Sequence, residues 1–467
     1  MALCFYNTYS GRKEEFVPLN DREVRMYTCG PTVYDFAHIG NFRAYIFEDL
    51  LRRHLEFSGY KVIHVMNITD VDDKTIDRAR REGISLREYT DRYIQYFFED
   101  LKTLRIRPAT FYPRATDHIN EMIELIKVLV DKGFAYISDG DVYFRISNFP
   151  AYGRLSGISL DRLMPGARVA VDEYQKEQAT DFALWKATKP NEPYWDSPFG
   201  KGRPGWHIEC SAMSMKYLGQ TFDIHTGGVD NIFPHHENEI AQSECATGKP
   251  FVRYWLHCEH LLVNGEKMSK SKGNFYTLRD LLEKGYTPES IRYLLISTTH
   301  YRSKLNFTEE ALVAAAESVD RLRNAYVRLI DYQPQTSSEF LVDEIERARQ
   351  AYKAALDDDL NLPQGMGYAF ETIRELNSAI DSERLSVEGK QKAIEFFNDL
   401  DFHLDILKTG EETLPKELME LIELREQARK NKDYATADRI RAQLLERGIQ
   451  LEDTKAGVRW KRVSTTR

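Results

Sequence analysis

Four consecutive residues near the N-terminus, His38-Ile39-Gly40-Asn41, have side chains suited to phosphate chemistry. They lie between a predicted strand and the helix after it, where free backbone N–H groups and the positive end of the helix dipole favour an anion. Gly40 would let a ligand approach the backbone, and His38 could donate to an oxyanion that develops during phosphoryl or adenylyl transfer. Taken alone, the same residues also fit a histidine that caps a helix or packs in a core.

A second group, with the sequence KMSKSKGN at 267–274, contains three lysines among small hydroxyl residues and one glycine. Such a loop could close over a triphosphate, where Lys267 and Lys270 would stabilise the negative charge that spreads onto departing pyrophosphate. A solvated basic loop is the alternative interpretation. The pairing of this group with the His38–Asn41 motif favours the phosphate interpretation.

The bulk composition is that of a folded protein with several domains. The chain has 467 residues, of which 42% are apolar and 29% charged. We identify no signal peptide and no apolar run near the roughly 20 residues that cross a bilayer. The five cysteines are dispersed and odd in number, which predicts free thiols in a reducing cytoplasm. Because no CxxC pair exists, any metal site must be assembled from distant segments.

Hydrophobic periodicity predicts the elements that position the two motifs. Residues 23–29 and 60–68 have the pattern of buried strands, and a helical pattern begins near Asn41 between them, which favours a parallel α/β domain. Residues 101–134 are predicted to be helical. The Gly- and Pro-rich stretch 139–195 is predicted to be an insertion, after which the core resumes near Gly205.

The C-terminal third has a different character. Amphipathic helices dominate from residue 288 to about 407 and predict a bundle. Residues 425–467 hold 12 Lys/Arg against six Asp/Glu in a chain of net charge −9, so the tail is expected to have a different partner from the body. The expected divisions are 1–130 and 201–250 for the two halves of the nucleotide-binding domain, 131–200 for the insertion, 251–307 for a connecting segment, 308–407 for the bundle and 408–467 for a small basic domain.

HIGN and KMSKS resemble the two ATP motifs of class I aminoacyl-tRNA synthetases. Three longer segments narrow the resemblance to the cysteinyl-tRNA synthetase family: YTCGPTVYD at 27–35, GWHIECSAM at 205–213 and HTGGVDNIFPHHENE at 225–239. One position departs from the common pattern, since Asn41 stands where many synthetases have His. The resemblance implies an α/β fold with a Rossmann-like parallel-sheet catalytic domain, an insertion, an α-helical bundle and a small C-terminal domain.

A metal site completes the predicted chemistry. His235 and Glu239 are four residues apart in a predicted helix and would share one face. Thiolates of Cys29 and Cys210 together with this imidazole and carboxylate suit Zn²⁺. Spacing alone leaves His236 as a competitor, because it also shares a face with Glu239. The family pattern favours His235, and the resemblance implies one zinc ion per chain that selects the thiol of cysteine.

The resemblance also implies the remaining site residues and partners. ATP would be bound by His38, Gly40, Asn41 and Lys270, with His38, Asn41, Lys267 and Lys270 acting in catalysis. Thr69, Trp206, His225 and Asp230 would hold the amino and carboxylate groups of L-cysteine. Mg²⁺ would accompany ATP. The chain is expected to be a monomer that binds tRNA(Cys) through the bundle and the tail. In the tail, Trp460 would either stack on an anticodon base or anchor its own domain. Two alternatives are a cysteine:amino-sugar ligase of mycothiol synthesis and a non-catalytic RNA-binding relative.

Overall fold

The computed structural model describes residues 2–158, 181–269, 272–334, 341–407, 416–454 and 457–462. Lys270 therefore lies outside the described residues, and so does the side chain of Trp460. In the part of the chain that is described, none of the helices combines the length and the apolar character needed to cross a bilayer.

A four-stranded parallel sheet forms the centre of the N-terminal half, in the order β10-β9-β3-β4. Its strands are β3 Glu23–Thr28, β4 Lys61–Met66, β9 Phe222–Gly228 and β10 Val252–Cys258. Successive side chains alternate between the faces: Met26 packs in one hydrophobic cluster and Tyr27 in the other. Both faces are buried, as a parallel sheet requires. The predicted parallel α/β fold is confirmed.

Helices cover the two faces of this sheet. Helix α1 Ile39–Phe57 connects β3 to β4 and contributes Phe42, Ile46 and Leu50 to one cluster. The other cluster contains residues of α4 Ile119–Asp131, α5 Trp206–Leu218 and α6 Glu237–Thr247. The strand–helix–strand unit agrees with the periodicity of the sequence.

The helical prediction for residues 101–134 is wrong in its middle. Helix α2 spans Asp73–Glu82, α3 spans Leu86–Thr103, and α4 begins only at Ile119. The segment between α3 and α4 contains just a short 3-10 helix at Ala115–Asp117. Pro108 and Pro113 lie in this segment, and proline removes a helical N–H donor and disfavours the helical conformation of the residue before it.

Two smaller sheets follow. An antiparallel sheet, β5-β6-β7-β8, lies between β4 and β9 in the chain and consists of β5 Ala135–Ser138, β6 Asp141–Phe144, β7 Phe182–Ala187 and β8 Gly202–Pro204. The second sheet has the order β12-β11-β13, with β11 Leu261–Val263, β12 Glu266–Lys267 and β13 Leu305–Phe307. Helices α7 Leu278–Glu283 and α8 Pro288–Ser297 connect β12 to β13. The second sheet therefore carries Lys267.

Long helices build the bundle, and three of them begin at a threonine, asparagine or serine cap. They are α9 Glu309–Asp331, α10 Val342–Asp357, α11 Leu362–Asp381 and α12 Val387–Leu404. Thr308, Asn361 and Ser386 accept backbone hydrogen bonds at the starts of α9, α11 and α12, which satisfies N–H groups that a helix start leaves free. Their buried leucines and phenylalanines extend the cluster that lies on α1.

The tail forms a small unit with its own core. Helices α13 Lys416–Lys430 and α14 Tyr434–Glu446 precede an antiparallel hairpin of β14 Ile449–Thr454 and β15 Gly457–Arg462. Ile440, Leu444 and Ile449 are among its buried residues. The predicted pair of helices with a β-like end is confirmed.

The N-terminal hairpin, β1 Cys4–Asn7 and β2 Arg12–Glu15, contacts the turn that follows α10 in the bundle. Asp359, which follows α10, accepts a hydrogen bond from the backbone N–H of Tyr6 at 2.8 Å, and its own N–H donates to Cys4 O at 2.9 Å. Tyr301 also donates to the Asp359 carboxylate at 2.6 Å. The hairpin thus ties residues of three sequence regions together.

Candidate active site

The four predicted metal-binding side chains converge in space. Cys29 directly follows β3, Cys210 lies in α5, His235 lies in a π-helical turn at Ile232–His236, and Glu239 lies in α6. One ligand atom from each lies within 4.8 Å of the others. Folding brings together residues that the sequence separates by as many as 210 positions. They meet at the carboxyl end of β3 and the first two turns of α5 and α6.

A second, overlapping group competes for the same position. Cys29, His225, His236 and Glu239 also offer ligand atoms within 4.8 Å of one another. His236 Nε2 lies 3.2 Å from Cys29 Sγ, and His225 Nε2 lies 3.0 Å from Glu239 Oε2. Cys29 and Glu239 belong to both groups, so geometry alone leaves the choice between His235 and His236 open, as spacing did.

The charges of the cluster suit a cation. Burial raises the pKa of the Cys210 thiol, but hydrogen bonding to Cys29 and the charge of His235 outweigh burial and lower this pKa to about 6. Burial lowers the pKa of His235, yet Glu239 and Cys210 together raise it to about 10. Burial raises the pKa of Glu239, but His225 and His235 bring it below its ordinary value. The Cys210 thiolate and the Glu239 carboxylate together outweigh the single positive charge of protonated His235, so the buried cluster carries a net negative charge.

The donor atoms also fit a metal ion. Glu239 Oε1 is buried and accepts no hydrogen bond from the described residues, although His235 Nε2 lies 3.1 Å away without the alignment of a hydrogen bond. A buried carboxylate oxygen without a hydrogen-bond donor is costly unless a cation lies beside it, a position that either protonated His235 or a metal ion can take. Two thiols, an imidazole and a carboxylate are ligands that zinc accepts.

Histidines surround this cluster. His207 Nδ1 lies 2.9 Å from His235 Nδ1, and His257 Nε2 lies 2.8 Å from His236 Nδ1. Neither His207 nor His257 was among the predicted site residues. The GWHIECSAM segment contains His207 and was a usable signal, whereas His257 lies in β10 with no neighbouring motif, so only the folded sheet reveals its contact.

The residues predicted to hold the amino acid lie in different surroundings. The Trp206 ring packs against the His235 ring with centroids 4.1 Å apart. The Thr69 hydroxyl donates to Glu209 at 2.8 Å and accepts from Asn67 at 3.2 Å. Trp206 also lines a cavity of about 180 Å³ next to the cluster.

His225 and Asp230, the other two predicted contacts of the amino acid, differ in exposure. His225 is fully buried, and its ring nitrogens lie 3.2 Å from Thr226 O and 3.0 Å from Glu239 Oε2. Asp230 is exposed, in a short 3-10 helix at Val229–Asn231. His225 is therefore placed to orient the carboxylate of Glu239. A contact of either residue with cysteine stays a prediction.

The HIGN motif forms the start of α1 and caps it. The backbone N–H of Asn41 donates to His38 Nδ1 at 3.2 Å, and the backbone N–H of His38 donates to Asn41 Oδ1 at 3.1 Å. This reciprocal arrangement is a capping box. Because Nδ1 of His38 accepts the Asn41 N–H, the ring hydrogen lies on Nε2. The capping and phosphate interpretations are therefore compatible, and the asparagine at position 41 has a structural reason.

The two phosphate motifs are neighbours. The backbone N–H of Ile39 donates to Tyr276 O at 3.0 Å. A Cβ atom built on Gly40 would lie 3.2 Å from Met268 Cε, so the HIGN and KMSKS segments touch at this glycine. Lys267 is exposed at the end of β12, and Asn274 accepts from the Ser269 N–H at 2.8 Å.

Family models match nearly the full length of the chain. A model of the class I (C) tRNA synthetase catalytic domain matches residues 15–317. A DALR domain model matches residues 351–408, and a model of the cysteinyl-tRNA ligase anticodon binding domain matches residues 411–460.

Similar proteins agree with these models. A cysteine–tRNA ligase of Brachyspira hyodysenteriae is 52% identical over 473 residues, which cover 98% of this chain and 99% of the relative. One of Solibacter usitatus is 53% identical over 468 residues, covering 99% of this chain and 100% of the relative.

Among solved structures, a Mycobacterium tuberculosis methionyl-tRNA synthetase bound by methionyl-adenylate has a TM-score of 0.60 at 15% identity, over 82% of this chain and 90% of that chain. A LeuRS of Agrobacterium radiobacter K84 in complex with tRNA has a TM-score of 0.60 at 11% identity, over 83% of this chain and 85% of that chain. At such low identity these structures support the fold alone. From the full-length relatives and the catalytic-domain model, the chain belongs to the cysteinyl-tRNA synthetase family of class I aminoacyl-tRNA synthetases.

Proposed function

We propose that this chain activates L-cysteine with ATP and transfers it to tRNA(Cys), with a zinc ion selecting the thiol. The observation that carries the proposal is the convergence of two cysteines, a histidine and a glutamate beside Trp206 and a cavity. The neighbouring HIGN and KMSKS segments supply a nucleotide site in the same half of the chain.

Cys29, Cys210, His235 and Glu239 are the proposed zinc ligands, one ion per chain. Serine is nearly isosteric with cysteine, and shape alone rejects a near-isostere by only about a hundredfold. An accuracy of about ten-thousandfold needs about 5.5 kcal/mol of differential binding. A bound zinc ion supplies this chemistry because it prefers thiolate to hydroxyl and deprotonates a bound thiol.

Adenylation uses the two phosphate motifs. The cysteine carboxylate attacks the α-phosphorus of ATP, a new C–O–P linkage forms, and pyrophosphate leaves. His38 Nε2–H, the backbone at Gly40 and Asn41, and the side chains of Lys267 and Lys270 would stabilise the charge on the phosphates, with Mg²⁺ bound to ATP. No protein nucleophile is required, because positioning and charge stabilisation account for the chemistry.

Aminoacyl transfer follows in the same site. A terminal ribose hydroxyl of tRNA attacks the activated carbonyl, and AMP leaves. Trp206, Thr69, His225 and Asp230 are the proposed contacts for the amino and carboxylate groups of the amino acid, and Thr69 and His225 are held in place by Glu209 and Glu239. Holding the carbonyl at one orientation is the main requirement of this step.

The proposed tRNA contacts lie in the bundle at 308–407 and the tail at 408–467, the expected divisions of the C-terminal part. Lys and Arg side chains there would supply phosphate contacts. We further propose that the chain acts as a monomer in the cytoplasm.

The match of residues 411–460 to an anticodon-binding model argues against the amino-sugar ligase. The intact His38, Lys270 and metal-ligand set argues against a non-catalytic relative.

An exchange and charging assay tests the proposal. We expect cysteine-dependent exchange of pyrophosphate into ATP, charging of tRNA(Cys) with cysteine, and at least about a thousandfold weaker charging with serine at equal concentration. Exchange without charging, but with consumption of an amino-sugar, would support the alternative ligase. No exchange at all would support a non-catalytic relative.

A further inference from the structure

Arg43 is a buried arginine in the first turns of α1, two residues after the HIGN motif, and its side chain is satisfied by the main chain alone. Its guanidinium donates to Leu295 O at 2.6 Å, Ser303 O at 2.9 Å and His300 O at 3.1 Å, and its Nε donates to Glu259 O at 3.4 Å. The residue is 1% exposed. Four carbonyl groups from three segments thus accept hydrogen bonds from one side chain.

Those carbonyl groups surround the base of the sheet that carries Lys267. Glu259 lies between β10 and β11, Leu295 lies in α8, and His300 and Ser303 lie between α8 and β13. Strands β11 and β13 pair from their first residues, Leu261 with Leu305. β11 in turn pairs with β12, which ends at Lys267. Arg43 therefore connects the start of α1 to the root of the KMSKS-bearing sheet.

The other buried arginines near α1 differ in their partners. Arg53 and Arg292 both bond the buried Asp49 carboxylate, at 2.7 Å and 2.5 Å. Among the described residues, no carboxylate oxygen lies within 4 Å of the Arg43 guanidinium. Arg43 thus has no direct ion pair, although the more distant charge of Glu259 favours its charged form, and its hydrogen bonds to the main chain distinguish it from the ion-paired arginines.

A planar guanidinium is suited to that role. It has five N–H donors in a fixed fork, whereas a lysine ammonium has three donors on one atom. One ammonium nitrogen cannot reach four carbonyls that the fork contacts through Nε and both terminal nitrogens. The arrangement fixes relative position, because displacing either segment breaks several bonds at once.

We propose that Arg43 is a positioning residue that sets the HIGN turn and the KMSKS-bearing sheet at the separation that ATP requires. The inference rests on the proposed function, because ATP is taken as the ligand of both motifs. Contact between Gly40 and Met268 and the bond from Ile39 to Tyr276 are the local interactions that this anchor maintains.

Steady-state pyrophosphate exchange of Arg43→Lys tests the proposal, with rates expressed per folded active site. We expect kcat/KM for ATP to fall about a hundredfold, since misplacement by about 1 Å can cost that much, while KM for cysteine stays within about threefold. Arg53→Lys is the matched control: it changes a buried arginine of the same helix that faces the bundle, and its kcat/KM for ATP should stay close to the wild-type value. Equal losses in both variants, or an unchanged kcat/KM for ATP in Arg43→Lys, would overturn the inference.

A double-mutant cycle and a surface variant provide independent checks. Arg43→Lys and Met268→Ala should be non-additive in kcat/KM for ATP, whereas Arg53→Lys and Met268→Ala should be additive. If Arg43→Lys does not fold, Ser303→Pro at an exposed residue removes the backbone N–H that donates to His300 O and disturbs two of the acceptors. An unaltered kcat/KM for ATP in Ser303→Pro would contradict the proposal. Exchange by the wild-type chain separates failure of this inference from failure of the proposed function.

Discussion

Three of the four side chains in the candidate metal centre, Cys210, His235 and Glu239, are at most 1% exposed, whereas Lys267 of the KMSKS segment is exposed and His38 is half-buried. The first region is built by the core: aromatic rings of Trp206 and neighbouring histidines pack against its ligands. The second is built by local backbone hydrogen bonds at a helix start.

The difference corresponds to the ligands proposed for each region. Distinguishing sulfur from oxygen requires a fixed set of metal ligands from which water is excluded. Water would otherwise compete with the substrate thiol for the metal ion. A triphosphate is highly charged and large, so its site needs access and donors more than burial. Sequence-distant residues therefore define the first site and contiguous motifs the second.

The largest effect is expected at the metal centre. Cys210→Ser removes a soft ligand, so metal content should fall and kcat/KM for cysteine should drop about a thousandfold, because removal of an outer partner of a ligand already costs about 10–100-fold. Metal analysis and pyrophosphate exchange measure both. Cys245→Ser, at a buried thiol outside the cluster, is the control and should retain metal. A fully metallated Cys210→Ser protein would place the ligand set elsewhere.

The phosphate region should show a loss of rate without a loss of stability. Asparagine can replace histidine as the N-cap of α1, so His38→Asn should keep the urea midpoint near that of the wild type. The rate of pyrophosphate exchange should nevertheless fall about a hundredfold, because the imidazole donor is lost. His38→Ala should lose the rate and in addition about 1 kcal/mol of stability. Wild-type exchange in His38→Asn would mean that the histidine serves only as a cap.

An intermediate effect is expected at the boundary of the metal centre. His225→Gln removes the imidazole that bonds Glu239, so metal affinity should fall about 10–100-fold while the fold is retained. Competition with a chelator measures the affinity. His118→Gln provides the comparison, since His118 is buried but bonds Arg114 and Tyr217 instead. If His225 were itself a ligand in place of Cys210 or His235, its replacement would abolish metal binding.

The smallest effect concerns acid stability of the sheet beneath both regions. Burial, with a further contribution from Arg52, lowers the pKa of His64 from 6.5 to about 3. Below pH 6.5 the unfolded chain binds a proton that the folded chain does not, so stability is lost as pH falls from 6.5 towards 3 and is unaffected above 6.5. His64 should contribute about 2 kcal/mol of the loss between pH 7 and 5. The urea midpoints of the wild type and of His64→Gln at pH 7 and pH 5 measure the contribution of His64. An equal change in midpoint between the two pH values in both proteins would show that His64 is hydrated.

Local patterns predicted much of this molecule. Strand β3, helix α1 and strand β4 were visible because their hydrophobic spacing and the HIGN cap act within a few residues. Residues 104–118 were misjudged because an apolar pattern outweighed two prolines whose backbone effect is stronger. The tail was recognisable from its charge and turn residues.

Contacts between distant segments were beyond the reach of spacing. The metal ligands could be grouped only through resemblance, and neither spacing nor the folded geometry separates His235 from His236, since both approach Glu239. The roles of His207, His257 and Arg43 depend on the sheet and α8 being in place. The tie between Tyr6 and Asp359 had no sequence signal, because it consists of backbone and carboxylate atoms.

That tie has a consequence for synthesis on the ribosome. The first strand emerges early, but the carboxylate that receives the Tyr6 N–H lies 353 residues later. At translation rates of about 5–20 residues per second, the strand must wait on the order of tens of seconds for its partner. During that interval its edge is open to pairing with other nascent chains, so a chaperone that covers the N-terminal hairpin at birth would protect this protein from aggregation.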